Sequence, residues 1–187
     1  MFEVTEREGT LTGNLVTMGE GAVSLTPVWS RVSPGTRILA IRGRRAEEKV
    51  HSAGRVMADR SVLFRYMNPK LALVMSLDSS SKIFITVQVV DLVTGKVFFS
   101  ATHKKVLPPF HAVSSENWAV YSYFIDTARR TELVFLEMYE GNEQGNATIF
   151  SSMENTVVPF VERLAYILPI SDVLAIEKTL TSKGITS

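Results

Sequence analysis

The chain has 187 residues, with 20 Lys and Arg against 19 Asp and Glu and a net charge of +1, so it carries no electrostatic footprint for nucleic acid. At 45% hydrophobic and 21% charged residues it has the make-up of a folded domain with a core of its own. With no cysteine, disulfides and thiolate metal sites are excluded, and the redox compartment is left open.

No apolar run approaches the ~18 residues of a membrane span. The N-terminal MFEVTEREGT has acidic residues and no apolar stretch, so it does not read as a signal peptide. Taken as complete, the chain is expected in the cytosol; taken as a piece of a longer protein, its address lies elsewhere.

In chain order the sequence predicts short strands. Residues 2–5 and 11–18 flank a turn at 6–9, and Gly19-Glu20-Gly21 turns the chain into 22–26. Residues 28–32 form a short strand ended by Ser33-Pro34-Gly35, and 37–42 alternates. The basic Arg42-Gly43-Arg44-Arg45 reads as a solvated loop next to Glu47 and Glu48. Residues 46–61 are polar and broken by Gly54, which suits a helical turn or a long loop. Strands at 62–66, 71–75, 83–90 and 97–102 follow, with a turn at Asn68-Pro69. In the third of these, Ile83, Ile85, Val87 and Val89 share one face, and Phe84, Thr86, Gln88 and Val90 the other. That is a half-covered strand, expected at the outer edge of its sheet.

The densest strand signal is the pair 118–125 and 132–139, joined by Asp126-Thr127-Ala128-Arg129-Arg130-Thr131. In the first run Trp118, Val120 and Phe124 lie on one face and Ala119, Tyr121, Tyr123 and Ile125 on the other. A strand apolar on both faces is covered on both faces. Residues 156–168, TVVPFVERLAYIL, place Val157, Phe160, Val161, Leu164, Ala165 and Leu168 at helical spacing. They read as one short helix or as an extended edge strand. Residues 173–181 read as a strand, turned at Lys183-Gly184, with no hairpin partner in the sequence.

The runs starting at Leu71 and Trp118 stand about 47 residues apart, and 82–91 and 131–140 match at an offset of about 49. A period in the forties fits propeller blades; a sandwich or an open meander is the alternative. The expected fold is all-β, with antiparallel strands forming about three to four blades, roughly 1–45, 60–104, 108–140 and 146–187.

Little in the chain offers chemistry. His51, His103 and His111 lie in no metal-ligand spacing. No Gly-x-Ser-x-Gly occurs, and Gly19-Glu20-Gly21 lacks the strand–loop–helix setting of a dinucleotide site. Asp126 and Glu132 read as ordinary hairpin residues rather than an acid pair. Trp29 and Trp118 lie within strands, where core packing is the expected role. Asn146-Ala147-Thr148 is a glycosylation sequon in a polar loop.

Asp91-Leu92-Val93-Thr94-Gly95 has the turn chemistry of a hairpin, with Gly95 free to take positive φ and Asp91 able to bond the turn backbone. This D-x-x-T-G resembles the blade hairpin of quinoprotein-like propellers, which include quinone-dependent dehydrogenases as well as non-catalytic scaffolds. That leaves an enzyme with a quinone cofactor as an alternative reading.

Four co-linear blocks carry a more specific resemblance: VHSAGRVMADRSVLFRYMNPKLALV at 50–74, SENWAVYSYFIDTARRTEL at 115–133, LEMYEGNEQGNATIFSS at 136–152 and EKTLTSKGITS at 177–187. Together they resemble the C-terminal luminal region of the largest-subunit family of the endoplasmic-reticulum membrane protein complex, over about residues 29–187. The resemblance implies a non-catalytic luminal propeller without cofactor or metal. Its role would be to scaffold the other subunits of an insertase for tail-anchored and multipass membrane proteins. It further implies a membrane helix outside this chain and glycosylation at Asn146. On this reading the chain is a segment whose edge strands lack partners, so in isolation it is expected to be marginally stable or to associate.

Overall fold

The structure is a computed structural model that describes residues 2–7, 9–19, 21–33, 35–44, 48, 50, 52–78, 84–145, 154, 158–168, 180–181 and 184–185. Three strands open the chain: β1 (Phe2–Arg7), β2 (Thr10–Gly19) and β3 (Ala22–Val32). They form one antiparallel sheet in the order β1-β2-β3. The two strands predicted at 22–26 and 28–32 are one strand. A bulge opposite Gly13 and Asn14 absorbs the extra residue where the sequence suggested a break.

The second sheet runs β4 (Thr36–Gly43), β7 (Leu71–Asp78), β8 (Phe84–Asp91) and β9 (Val97–Lys104), each antiparallel to the next. The polar stretch between β4 and β7 holds two further strands, β5 (Gly54–Val56) and β6 (Val62–Arg65). These leave the second sheet and join the third. There β10 (Val106–Ser115), β11 (Trp118–Ile125) and β12 (Arg130–Gly141) are flanked by β13 (Phe160–Leu168). A last pair, β14 (Leu180–Thr181) and β15 (Gly184–Ile185), supplies a partner where the sequence showed none.

Three expectations change. β8, expected at an outer edge, is third of four, because β9 pairs with it from Phe84↔Lys104 through Val90↔Val97. β10 has no counterpart in the sequence reading, because Pro108 and Pro109 break its pattern. Its pairing with β11 skips from Leu107 to His111 around that dipeptide. The 156–168 segment is a strand over its described residues from Phe160 onward. It pairs with the free side of β12 from Tyr139↔Phe160 to Thr131↔Leu168, so ladder bonds override the helical spacing. The strand expected over 173–181 lies outside the described residues apart from β14.

The two repeat offsets now have a structural meaning. β7 and β11 each stand second in their sheets, and β8 and β12 third. The main core lies between these two sheets. Leu71, Leu73, Met75, Ile85, Val87 and Val89 meet Ala119, Tyr121, Tyr123, Val134, Leu136 and Met138. A smaller core of Leu11, Val74 and Val90, with Trp29, Ile38, Ile41 and Val97, joins the first sheet to the second. The middle sheet is thus covered on one face and partly on the other, where Thr86–Thr102 and Gln88–Ser100 hydrogen bonds stay exposed, whereas β11 is covered on both: Val120 and Ser122 are as buried as Ala119, Tyr121 and Tyr123. The sheets are open rather than closed on themselves.

Candidate functional site

The D-x-x-T-G hairpin between β8 and β9 is built around the fully buried Asp91. Its Oδ1 accepts the Val93 N–H at 2.8 Å and the Thr94 N–H at 3.3 Å. Its main-chain oxygen accepts the Gly95 N–H at 2.8 Å. Its Oδ2 accepts Asn68 Nδ2 at 3.2 Å, and Asn68 Oδ1 in turn accepts the Lys70 N–H at 2.9 Å. One carboxylate and one amide therefore lock two turns together, which satisfies a buried charge with hydrogen bonds.

What this hairpin holds is a side chain of the protein itself. Gly95 has φ +72°, and a Cβ there would stand 2.7 Å from Trp29 Cδ2. A Cβ on Gly13 would stand 2.1 Å from Trp29 Nε1. The indole therefore lies between two glycines, where no other residue leaves room for it. Trp29 Nε1–H donates to the Leu92 carbonyl at 3.0 Å, and Arg31 Nη1 donates to the Gly95 carbonyl at 3.2 Å. The arrangement is a socket between sheets.

A second polar cluster bridges the second and third sheets. His103 of β9 stacks on Tyr123 at 4.3 Å between ring centres, and its Nε2 is 2.9 Å from the Tyr121 hydroxyl. The Tyr123 hydroxyl donates to Glu132 Oε2 at 2.8 Å, while Arg130 Nη2 donates to Glu132 Oε1 at 2.9 Å. Burial, with Arg163 nearby, lowers the His103 pKa to about 4. Burial pushes the Tyr121 hydroxyl up to about 12, and burial with the Glu132 bond raises Tyr123 as well. Burial acts to raise Glu132, but its bonds from Tyr123 and Arg130 outweigh that and leave it below the usual carboxylate range. His103 Nε2, both tyrosine hydroxyls and both Glu132 oxygens each have a partner within the set, which suits a joint.

The third cluster ties the β5–β6 hairpin to the third sheet. Arg65 Nη1 lies 3.3 Å from Glu116 Oε2, and the Glu116 side chain is only 1% exposed. The Glu48 carboxylate accepts the Ser115 hydroxyl and the Glu116 N–H.

Of the residues singled out in the sequence, Trp29 meets Gly95 and His103 lies near Glu132, whereas the other described ones stand apart. Asp126 pairs with Arg129 in the hairpin loop, apart from Glu132. Arg42 donates through Nε to the Ala112 carbonyl at 3.1 Å, so it has a partner in the third sheet. His111 lies in β10 and His103 in β9, while His51 and Asn146 lie outside the described residues. Among the described residues no three His, Asp or Glu side chains converge to hold a metal. An open cleft of about 340 Å³ beside Lys105, Val106, Leu107, Asp126 and Thr127 is mainly apolar. No described helix is long and apolar enough to cross a membrane. The sequence reading missed Asn68, Glu116 and the His103–Tyr121–Tyr123 set. Only the Tyr-x-Tyr alternation on one face of β11 hinted at the last of these.

The family described as "ER membrane protein complex subunit 1, second beta-propeller" matches residues 1–187. Proteins named ER membrane protein complex subunit 1 are similar over most of the chain. The Gallus gallus protein is 46% identical over 154 residues, covering 81% of this chain and 16% of that protein. The Xenopus laevis protein is 41% identical over 170 residues, covering 88% and 17%. The Schizosaccharomyces pombe protein is 33% identical over 166 residues, covering 85% and 18%. The chain thus spans less than a fifth of the length of these relatives. With the family matched over its whole length, this all-β chain belongs to the second β-propeller family of ER membrane protein complex subunit 1.

Proposed function

We propose that this chain is a non-catalytic scaffold segment on the luminal side of the endoplasmic-reticulum membrane. There it would help hold together the subunits of the complex that inserts tail-anchored and multipass membrane proteins. The observation that carries the reading is the Trp29 socket. The one motif that resembled a quinone-enzyme hairpin spends Gly95 and the Leu92 carbonyl on docking a neighbouring sheet. The family match points the same way, because the relatives are named as subunits of a complex. The blade division expected from the sequence, 1–45, 60–104, 108–140 and 146–187, is proposed for the scaffold with two exchanges: β4 goes with β7, β8 and β9, and β6 with β12.

The partners are the other subunits of the complex. Attachment to the membrane runs through a helix outside this chain. Asn146 is a luminal glycosylation site, preceded by the exposed residues 142–145.

Affinity capture of the full-length protein from detergent-solubilised membranes tests the scaffold. The other subunits should co-purify, and their absence overturns the reading. Titration with pyrroloquinoline quinone should give no stoichiometric absorbance shift. Endoglycosidase treatment should increase the gel mobility of the full-length protein, and Asn146→Gln should abolish that shift. An unchanged shift in the variant removes the site.

A further inference from the structure

We propose that the β5–β6 hairpin is a latch that lifts off the third sheet while the second and third sheets stay folded. The hairpin leaves the second sheet between β4 and β7 and adds to the end of β12. There the described pairing is only Tyr139↔Arg65 and Gly141↔Phe64, with an irregularity between them. The rest of the hold is largely polar. Arg65 pairs with the buried Glu116 carboxylate, and the Tyr66 N–H donates to the Met138 carbonyl at 3.0 Å. Arg55 Nη1 stands 4.0 Å from Glu137 and 3.9 Å from Glu162, both at exposed positions where such pairs contribute little.

Apolar anchorage comes from Leu63 and Tyr66, both buried, and fades toward the turn. Tyr66 is fully buried, edge-on to Phe98 at 5.8 Å, whereas Val56 and Met57 at the far end are 74% and 39% exposed. The far end also holds itself together. The Met57 N–H donates to the Ser61 carbonyl at 2.9 Å, and Asp59 Oδ1 accepts both the Ser61 N–H and hydroxyl. A segment with its own turn, a buried pivot and a polar clasp meets the description of a unit that opens below the global unfolding free energy. Glu116 marks the clasp. It keeps φ at +40°, a backbone that non-glycine residues rarely adopt, while its carboxylate faces Arg65. Lifting the hairpin frees the Tyr139–Gly141 end of β12 from β6, leaving a strand edge able to pair with an extended chain.

Hydrogen exchange of the full-length protein tests the latch. In Arg65→Gln the buried Glu116 carboxylate loses this partner, so amides of 54–65 should exchange about tenfold faster. Those of β7, β8 and β11 should keep their wild-type rates. Glu116→Gln, which weakens the same clasp without leaving a buried charge, should do the same and serves if Arg65→Gln does not fold. Unchanged exchange of the hairpin in either folded variant overturns the proposal. So does acceleration shared equally by β7, β8 and β11, because the hairpin then opens only with the whole domain.

Discussion

On one side of the β4-β7-β8-β9 sheet, the first sheet meets it through Leu11, Trp29 and a pair of glycines. On the other side, the third sheet meets it through a broad apolar core, with tyrosines and a histidine set into it. The first joint is small, so it depends on shape. One indole is placed between Gly13 and Gly95, and two carbonyls of the hairpin are spoken for. The second joint has area, so polar groups can be set into it provided each finds a partner. A small contact made specific by fit and a large one made specific by hydrogen bonds both serve to fix one sheet against the next.

The comparison predicts that volume dominates in the second joint. Leu136 is fully buried there, and Leu136→Ala should cost about 4 kcal/mol, read by urea unfolding. A cost near zero would mean that the two sheets are not packed as described. In the first joint, shape should dominate. Gly95→Ala places a methyl group 2.7 Å from the indole at φ +72°, so a loss of about 3 kcal/mol is expected. Trp29→Phe keeps an aromatic ring in the socket but leaves the Leu92 carbonyl without its indole donor. It should cost about 1 kcal/mol and shift tryptophan fluorescence to that of Trp118 alone. If Trp29→Phe costs more than Gly95→Ala, the hydrogen bond and not the fit governs the first joint.

What was legible in the sequence follows the range of the forces. β7, β8, β11 and β12 were readable because runs of apolar and β-branched residues, and the turn residues that bound them, act within a strand and its hairpin. The D-x-x-T-G turn was readable for the same reason, since Asp91 bonds residues two and three positions on. Its occupant was not readable, because Trp29 reaches Leu92 across 63 positions and nothing local encodes that approach. β10 was lost because a Pro-Pro pair that ordinarily breaks strands is here accommodated in an irregular stretch of the ladder. β13 was ambiguous because helical spacing is a weak preference beside an open strand edge on β12. Tyr121 and Tyr123 could be placed on one face, but that His103 would lie against them depends on how two sheets stack, which periodicity does not carry.

The smallest effect expected is also the one that separates the two joints by chemistry, since of the two described here only the second contains an imidazole. His103 faces Tyr121 and Tyr123 on β11, Glu132 on β12 and Arg163 on β13, and its pKa is lowered from 6.5 to about 4. A histidine whose pKa is lower in the folded state binds protons more readily when unfolded, so acid favours unfolding. Its contribution is complete above pH 6.5 and is lost as the pH falls toward about 4. Glu132, held below the ordinary carboxylate value of 4.5, begins to lose its own contribution only at the acid end of that window. Thermal unfolding midpoints measured between pH 6.5 and 4.5 should therefore fall in the wild type, and the slope should flatten in His103→Phe, which keeps a ring against Tyr123. Equal slopes in the two proteins would show that the second joint, like the first, is held by packing alone.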